Sequence, residues 1–170
     1  MLAPLTNSST DTAQRLAFAA RCAASGALAY LLARTVGLPH PVWASMSSLI
    51  VSQESVEATR RSIVGRIAGT VVGAVVAVLV GEVSNRAGID PAVQIAMAVG
   101  LCALFAKGRP SLRVSLWTCP VVLLTATTEA SVEYTGWMRG SEVILGALTG
   151  GLIHGIEQAM IHVAHRLKSR

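Results

Sequence analysis

Residues Trp43 to Gly81 read WASMSSLIVSQESVEATRRSIVGRIAGTVVGAVVAVLVG. Two apolar runs flank a short charged stretch, QESVEATRRS, with two glutamates and two arginines. Neither run has a polar face of any width, so neither reads as an amphipathic helix resting on a soluble core. One more arginine, Arg66, lies inside the second run.

The rest of the chain shares this character. Of its 170 residues 52% are hydrophobic and only 14% are charged, where a soluble domain carries about 25% charge. The mean hydropathy is +0.57. Too little charge is present to cover a water-facing surface, so the expected solvent is a lipid bilayer. The first residues, MLAPLTNSSTDTAQR, have no basic region before an apolar core and do not read as a secretory signal. The net charge of +5 comes from basic residues at the ends of apolar runs rather than in one patch. That pattern suits membrane loops and argues against nucleic acid as a partner. Cys22, Cys102 and Cys119 all fall in apolar segments with no CxxC or Cys/His spacing, so neither a metal nor a cofactor is expected.

Six apolar segments are expected as helices, at about residues 15–36, 42–53, 63–83, 91–106, 114–128 and 140–163. The fold class is therefore all-α, a membrane bundle of six transmembrane helices. Tails of residues 1–14 and 164–170 bracket a domain of residues 15–163. Roughly 20 residues cross the hydrocarbon core, so the first, third and sixth segments suffice. The other three are either partial spans buried against neighbours or helices extended by their polar flanks. With six spans, one side holds Arg15, Arg60, Arg61, Lys107, Arg109, Arg113, Arg166, Lys168 and Arg170, nine in all. The other holds three, Arg34, Arg86 and Arg139. The bias puts both termini in the cytoplasm. The expected location is a bacterial inner membrane.

An internal echo divides the chain. Gly37-Leu38-Pro39 closes the first segment and Gly108-Arg109-Pro110 the fourth. Gly69 and Gly73 in the third segment match Gly146 and Gly150 in the sixth. Two repeats, residues 15–83 and 91–163, would have three spans each and be inverted in the membrane, as in many transporters. The short second and fifth segments then correspond. Proline bounds or interrupts both, and such paired irregular segments point to a substrate site.

Charges inside spans are costly, by roughly 2.5 kcal/mol or more at the centre, and usually serve function. Arg66 reads either as a snorkelling side chain near a helix end or as a carboxylate-binding residue lining a pathway. Arg21, deeper in its span, reads as an ion-pair partner or a lining residue. His154 and Glu157 are three apart and share a helix face. They form a structural pair or a proton relay. Trp43 and Trp137 suit an aromatic belt, and Trp43 could instead stack on an aromatic substrate.

These residues carry a resemblance. Pro41-Val42-Trp43-Ala44, Val51-Ser52-Gln53, Ala58-Thr59-Arg60-Arg61 and Gly65-Arg66-Ile67-Ala68-Gly69-Thr70-Val71-Val72-Gly73 together resemble the signature of the fusaric acid resistance proteins. That family sits with the aromatic acid exporters and is similar to the aluminium-activated malate transporters of plants. The resemblance implies cytoplasmic termini and transport of organic, often aromatic, carboxylates. It supports Trp43, Gln53 and Arg66 as substrate-binding positions; Arg21 joins them from its place inside a span, and His154 with Glu157 are the proton-coupling candidates from their spacing. Typical members are longer, with two six-span blocks and cytoplasmic domains. A homodimer or higher oligomer would supply the missing half here. A passive organic-anion channel and a non-transporting membrane scaffold are the alternatives; no constellation of an enzyme is evident.

Overall fold

In a computed structural model the chain is described over residues 8–126 and 130–169. The described residues form helices α1 (Ser8–Thr35), α2 (Pro41–Val51), α3 (Val56–Arg86), α4 (Pro91–Ala106), α5 (Ser115–Thr125) and α6 (Val132–Lys168). A 3-10 turn (Pro110–Val114) runs directly into α5. The all-α class is as expected. Three stretches are long and apolar enough to cross a bilayer: Thr12–Thr35, Val56–Arg86 and Val132–Ala164. Helices α2 and α4 are apolar but shorter, and α5 is shorter still than α4, so the six expected segments divide into long first, third and sixth helices and short second, fourth and fifth ones.

The boundaries differ from the apolar counts for physical reasons. Helix α3 begins at Val56, not near residue 63, because Ser55 caps it by accepting the Ala58 N–H at 3.2 Å and Glu57 occupies its first turn. Most of the charged stretch is thus two helical turns, exposed at Glu57, Arg60 and Arg61 and buried at Thr59. Arg66, placed four residues into its segment by the apolar count, is the eleventh residue of α3, about 15 Å from its start. Helix α6 likewise begins at Val132 rather than near 140. Arg139, counted among loop residues, lies inside it and is buried. Helical structure also extends into both expected tails, from Ser8 and to Lys168. Of the fifth segment, residues 127 and 128 lie outside the described residues.

Two of the short helices pack against a long helix of the other half, α2 against α6 and α5 against α3, while α4 packs chiefly on α5, and α3 and α6 pack on each other. Glycines make both crossings close. A methyl group built on Gly73 would stand 2.7 Å from the Thr118 Cβ, and one on Gly69 2.7 Å from the Val114 Cβ. On α6, a methyl on Gly150 would stand 2.6 Å from the Ser48 carbonyl oxygen, and one on Gly146 would run into the Ala44 carbonyl. Small residues permit this approach of backbones. Gly37 and Gly108, which end α1 and α4, have φ of 77° and 74°, the left-handed cap that glycine adopts without strain.

Polarity is turned inside out. The two largest fully buried side chains are His154 and Glu142, and Arg21, Arg66 and Arg139 are buried with them. The exterior carries Leu104, Trp137, Leu148 and Leu152. A surface of this kind suits lipid, where the hydrophobic cost of exposure vanishes.

Candidate functional site

Helix α2 is the shaft around which the buried charges are arranged. It is 11 residues long, about 16 Å, and stops between two polar clusters. At its start, the His40 N–H donates to Glu142 Oε1 at 2.8 Å. Arg139 Nη1 donates to Glu142 Oε2 at 3.3 Å, and the Arg139 guanidinium lies 3.8 Å from the centre of the Trp43 ring. The His40 ring is near the same carboxylate, with Nδ1 3.8 Å from Oε1. Just past the end of α2, Arg21 Nη2 donates to the Gln53 carbonyl at 2.7 Å. A carboxylate at the N-terminus and a guanidinium at the C-terminus both complement the helix dipole.

The second cluster is the denser one. Arg21 Nη1 donates to Glu157 Oε2 at 2.6 Å, with Arg21 closed from solvent and Glu157 partly open. Thr59 Oγ1 accepts the Gln53 N–H at 3.2 Å and lies 2.7 Å from His154 Nδ1. With one donor and two acceptor sites, the Thr59 hydroxyl can serve either tautomer of the ring. His154 Nε2 is 3.5 Å from the Gln158 amide nitrogen. A cavity of about 730 Å³ opens onto this cluster, its lining including Phe18, Arg21, Glu54, Glu157 and Gln158.

Between the clusters stands Arg66. Its Nε donates to Ser47 Oγ at 3.2 Å, and its guanidinium lies 4.9 Å from the centre of the Trp117 ring, a cation–π distance. Ser47 in turn donates to the Val143 carbonyl at 3.0 Å. Nη1 of Arg66 is buried with no hydrogen-bond partner. Among the described residues Arg139 is paired with Glu142 and Arg21 with Glu157, and Arg66 has no acidic partner.

The six expected site residues therefore fall in three places. Arg21, Gln53, His154 and Glu157 meet at the end of α2, Trp43 belongs to the cluster at its start, and Arg66 of α3 stands between the two. His154 and Glu157 do share a face of α6, and each bonds a different helix. Arg139, Glu142, Thr59 and Trp117 were not singled out from the sequence. The i, i+3 pair Arg139/Glu142 was visible as a charged start to an apolar run. It was missed because the helix was begun at the first apolar residue rather than a turn or two earlier.

Thr59→Val tests how tightly the second cluster is knit. It strips His154 Nδ1 of its partner inside the protein, an unpaired buried group that costs about 2 kcal/mol. Thr59→Ser retains the hydroxyl. Thermal unfolding in detergent is expected to show a clear drop for the valine variant and little change for serine; equal melting of the two would remove the hydroxyl from the account.

An apolar exterior over a charged interior, carried on helices long enough to cross lipid, defines a multi-pass membrane protein. Residues 28–153 match the fusaric acid resistance protein-like family. The chain belongs to that family, whose members point to membrane transport rather than catalysis. No curated protein and no solved structure matches it.

Proposed function

We propose that this protein is a transporter that exports organic, chiefly aromatic, carboxylate anions across a bacterial inner membrane, as a homo-oligomer with both termini cytoplasmic. The observation that carries the reading is Arg66, a buried guanidinium with a free N–H and no acidic partner among the described residues. An uncompensated buried cation is expensive and calls for an anion that is not part of the resting protein. Trp117 and Trp43 beside Arg66 and Arg139 offer flat apolar faces to an aromatic ring.

Arg21 lines the 730 Å³ cavity and bonds the Gln53 carbonyl just past the end of α2, which makes this end the mouth of the proposed path. His154 and Glu157 handle protons there. The proposed architecture is a three-plus-three inverted repeat. Its support is the crossed packing of α2 and α5, each on the other half's glycine-bearing long helix. Within that arrangement α2 and α5 are the broken partial spans. Reassigning Arg139 to α6 leaves Arg34 and Arg86 as the outer basic residues of the described loops and helix ends, which supports cytoplasmic termini.

Proteoliposomes loaded with labelled benzoate provide the test. Benzoate efflux above that of protein-free vesicles is the expected result. Efflux equal to empty vesicles, with the oligomer shown to be folded, would sink the proposal.

A further inference from the structure

The ion pair at the cavity has a feature that the pairing alone does not require. Arg21 is closed from solvent, whereas Glu157, its partner at 2.6 Å, is partly exposed to the cavity. The cation is therefore fixed and its counter-ion is the member that can be exchanged. Arg21 is held by a second anchor, the Gln53 carbonyl at 2.7 Å, and by the Phe18 ring, 5.0 Å from its guanidinium carbon. Arg21 Nε is buried without a hydrogen-bond partner. A carboxylate arriving from the cavity meets a preformed guanidinium whose acidic partner among the described residues is Glu157.

Displacing Glu157 leaves a carboxylate that needs a new cation. One turn earlier on the same face of α6 stands His154. Its Nδ1 is taken by Thr59 at 2.7 Å, and its Nε2 makes only a long 3.5 Å approach to Gln158. The charged and titratable groups around it are Arg21 of α1 and Glu157 of α6, both close enough for their charges to act on the ring. Thr59 of α3 supplies a hydroxyl rather than a charge. Glu54 and Arg15 line the cavity beyond.

Resting on the transport reading above, we infer that Arg21 exchanges Glu157 for an incoming carboxylate, and that His154 takes up one proton as Glu157 moves onto it. The balance is simple. One proton passes from bulk water to the imidazole. Nδ1–H then donates to Thr59 Oγ1, and Nε2–H to the released carboxylate. No covalent bond in the substrate changes. Anion and proton bind together, so the occupied cluster keeps the net charge of the resting one. By linkage, anion affinity weakens as pH rises through the range where the resting histidine is neutral.

Calorimetry of benzoate binding to the purified oligomer, run in buffers of different ionisation enthalpy, counts the protons. Uptake of about one proton per benzoate is expected, with affinity falling about tenfold per pH unit at higher pH. His154→Gln is expected to abolish the uptake. Glu157→Gln removes the competing carboxylate and is expected to tighten benzoate about tenfold while also losing the uptake. If His154→Gln does not fold, the Glu157 variant and the wild-type proton count decide the matter. Benzoate binding with no proton uptake, or uptake unchanged in these variants, would overturn the exchange and leave the transport reading standing. Absence of benzoate binding would end both.

Discussion

Gly146→Ala is expected to destabilise the protein more than any other single methyl group added to α6. The new Cβ would run into the Ala44 carbonyl oxygen, with the Ala44 carbonyl carbon and Cα next to it at 2.7 and 2.8 Å. These are backbone atoms of α2, so no rotamer change can make room. Helix α2 cannot easily retreat either, because Glu142 holds its start and Arg21 the residue just past its end. Ser47, one turn along α2, would lose its 3.0 Å bond to the Val143 carbonyl as the helices part. Overpacking in a core costs about 1–3 kcal/mol and occasionally more, and a backbone clash between two anchored helices belongs at or above the top of that range. Gly155→Ala, on the same helix with nothing within 4 Å of its Cβ, is the control. It is expected to be neutral or slightly stabilising, since alanine favours helix over glycine by about 1 kcal/mol. Thermal unfolding followed by monodispersity in detergent compares the two, and equal melting of both variants would refute the close crossing.

Arg66→Met is expected to abolish benzoate transport while leaving the protein as stable as before, or more so. The reasoning is one of sign. Arg66 gains a 3.2 Å hydrogen bond to Ser47 and a ring face from Trp117. Against that stands the desolvation of a cation with no acidic partner. Replacing buried charge by an apolar side chain of similar volume is often neutral or stabilising, by about 1–4 kcal/mol. A residue that costs stability and is removed only at the expense of activity is the signature of a functional site. Arg66→Lys keeps the charge but loses the planar fork and its stacking, so flux is expected to fall well below wild type without the gain in melting temperature. A methionine variant that unfolds, or one that still carries benzoate at the wild-type rate, would remove Arg66 from the pathway.

Much of the site was legible residue by residue. Arg21 and Arg66 stood out because apolar flanks make any arginine conspicuous, and His154 and Glu157 because three-residue spacing puts them on one helix face. The glycines at 69, 73, 146 and 150 stood out as a matching pair of motifs, and the structure shows that both make close crossings. Arg139 was lost through a boundary error, and Glu142, just inside the expected segment, lost its partner with it: their helix starts with polar turns whose stability comes from hydrogen bonding and packing, which apolar counts do not register. Trp117 gave no signal, since a tryptophan in an apolar run is ordinary until a partner faces it, and Thr59 was visible only within Ala58-Thr59-Arg60-Arg61, which does not say what its hydroxyl meets.

Composition and periodicity alone determined that lipid is the expected surrounding of this chain, that its elements are helices and where matching glycine pairs recur along it. Those properties are sums or spacings over neighbouring residues and depend on nothing distant. Only the tertiary structure decided which cation meets which acid. Arg21 finds Glu157 136 residues away, Glu142 closes the start of α2, and Arg66 is left with Ser47 and Trp117. Those outcomes depend on the rotation of each helix about its axis and on the depth at which α2 stops. Both are set by packing between distant segments.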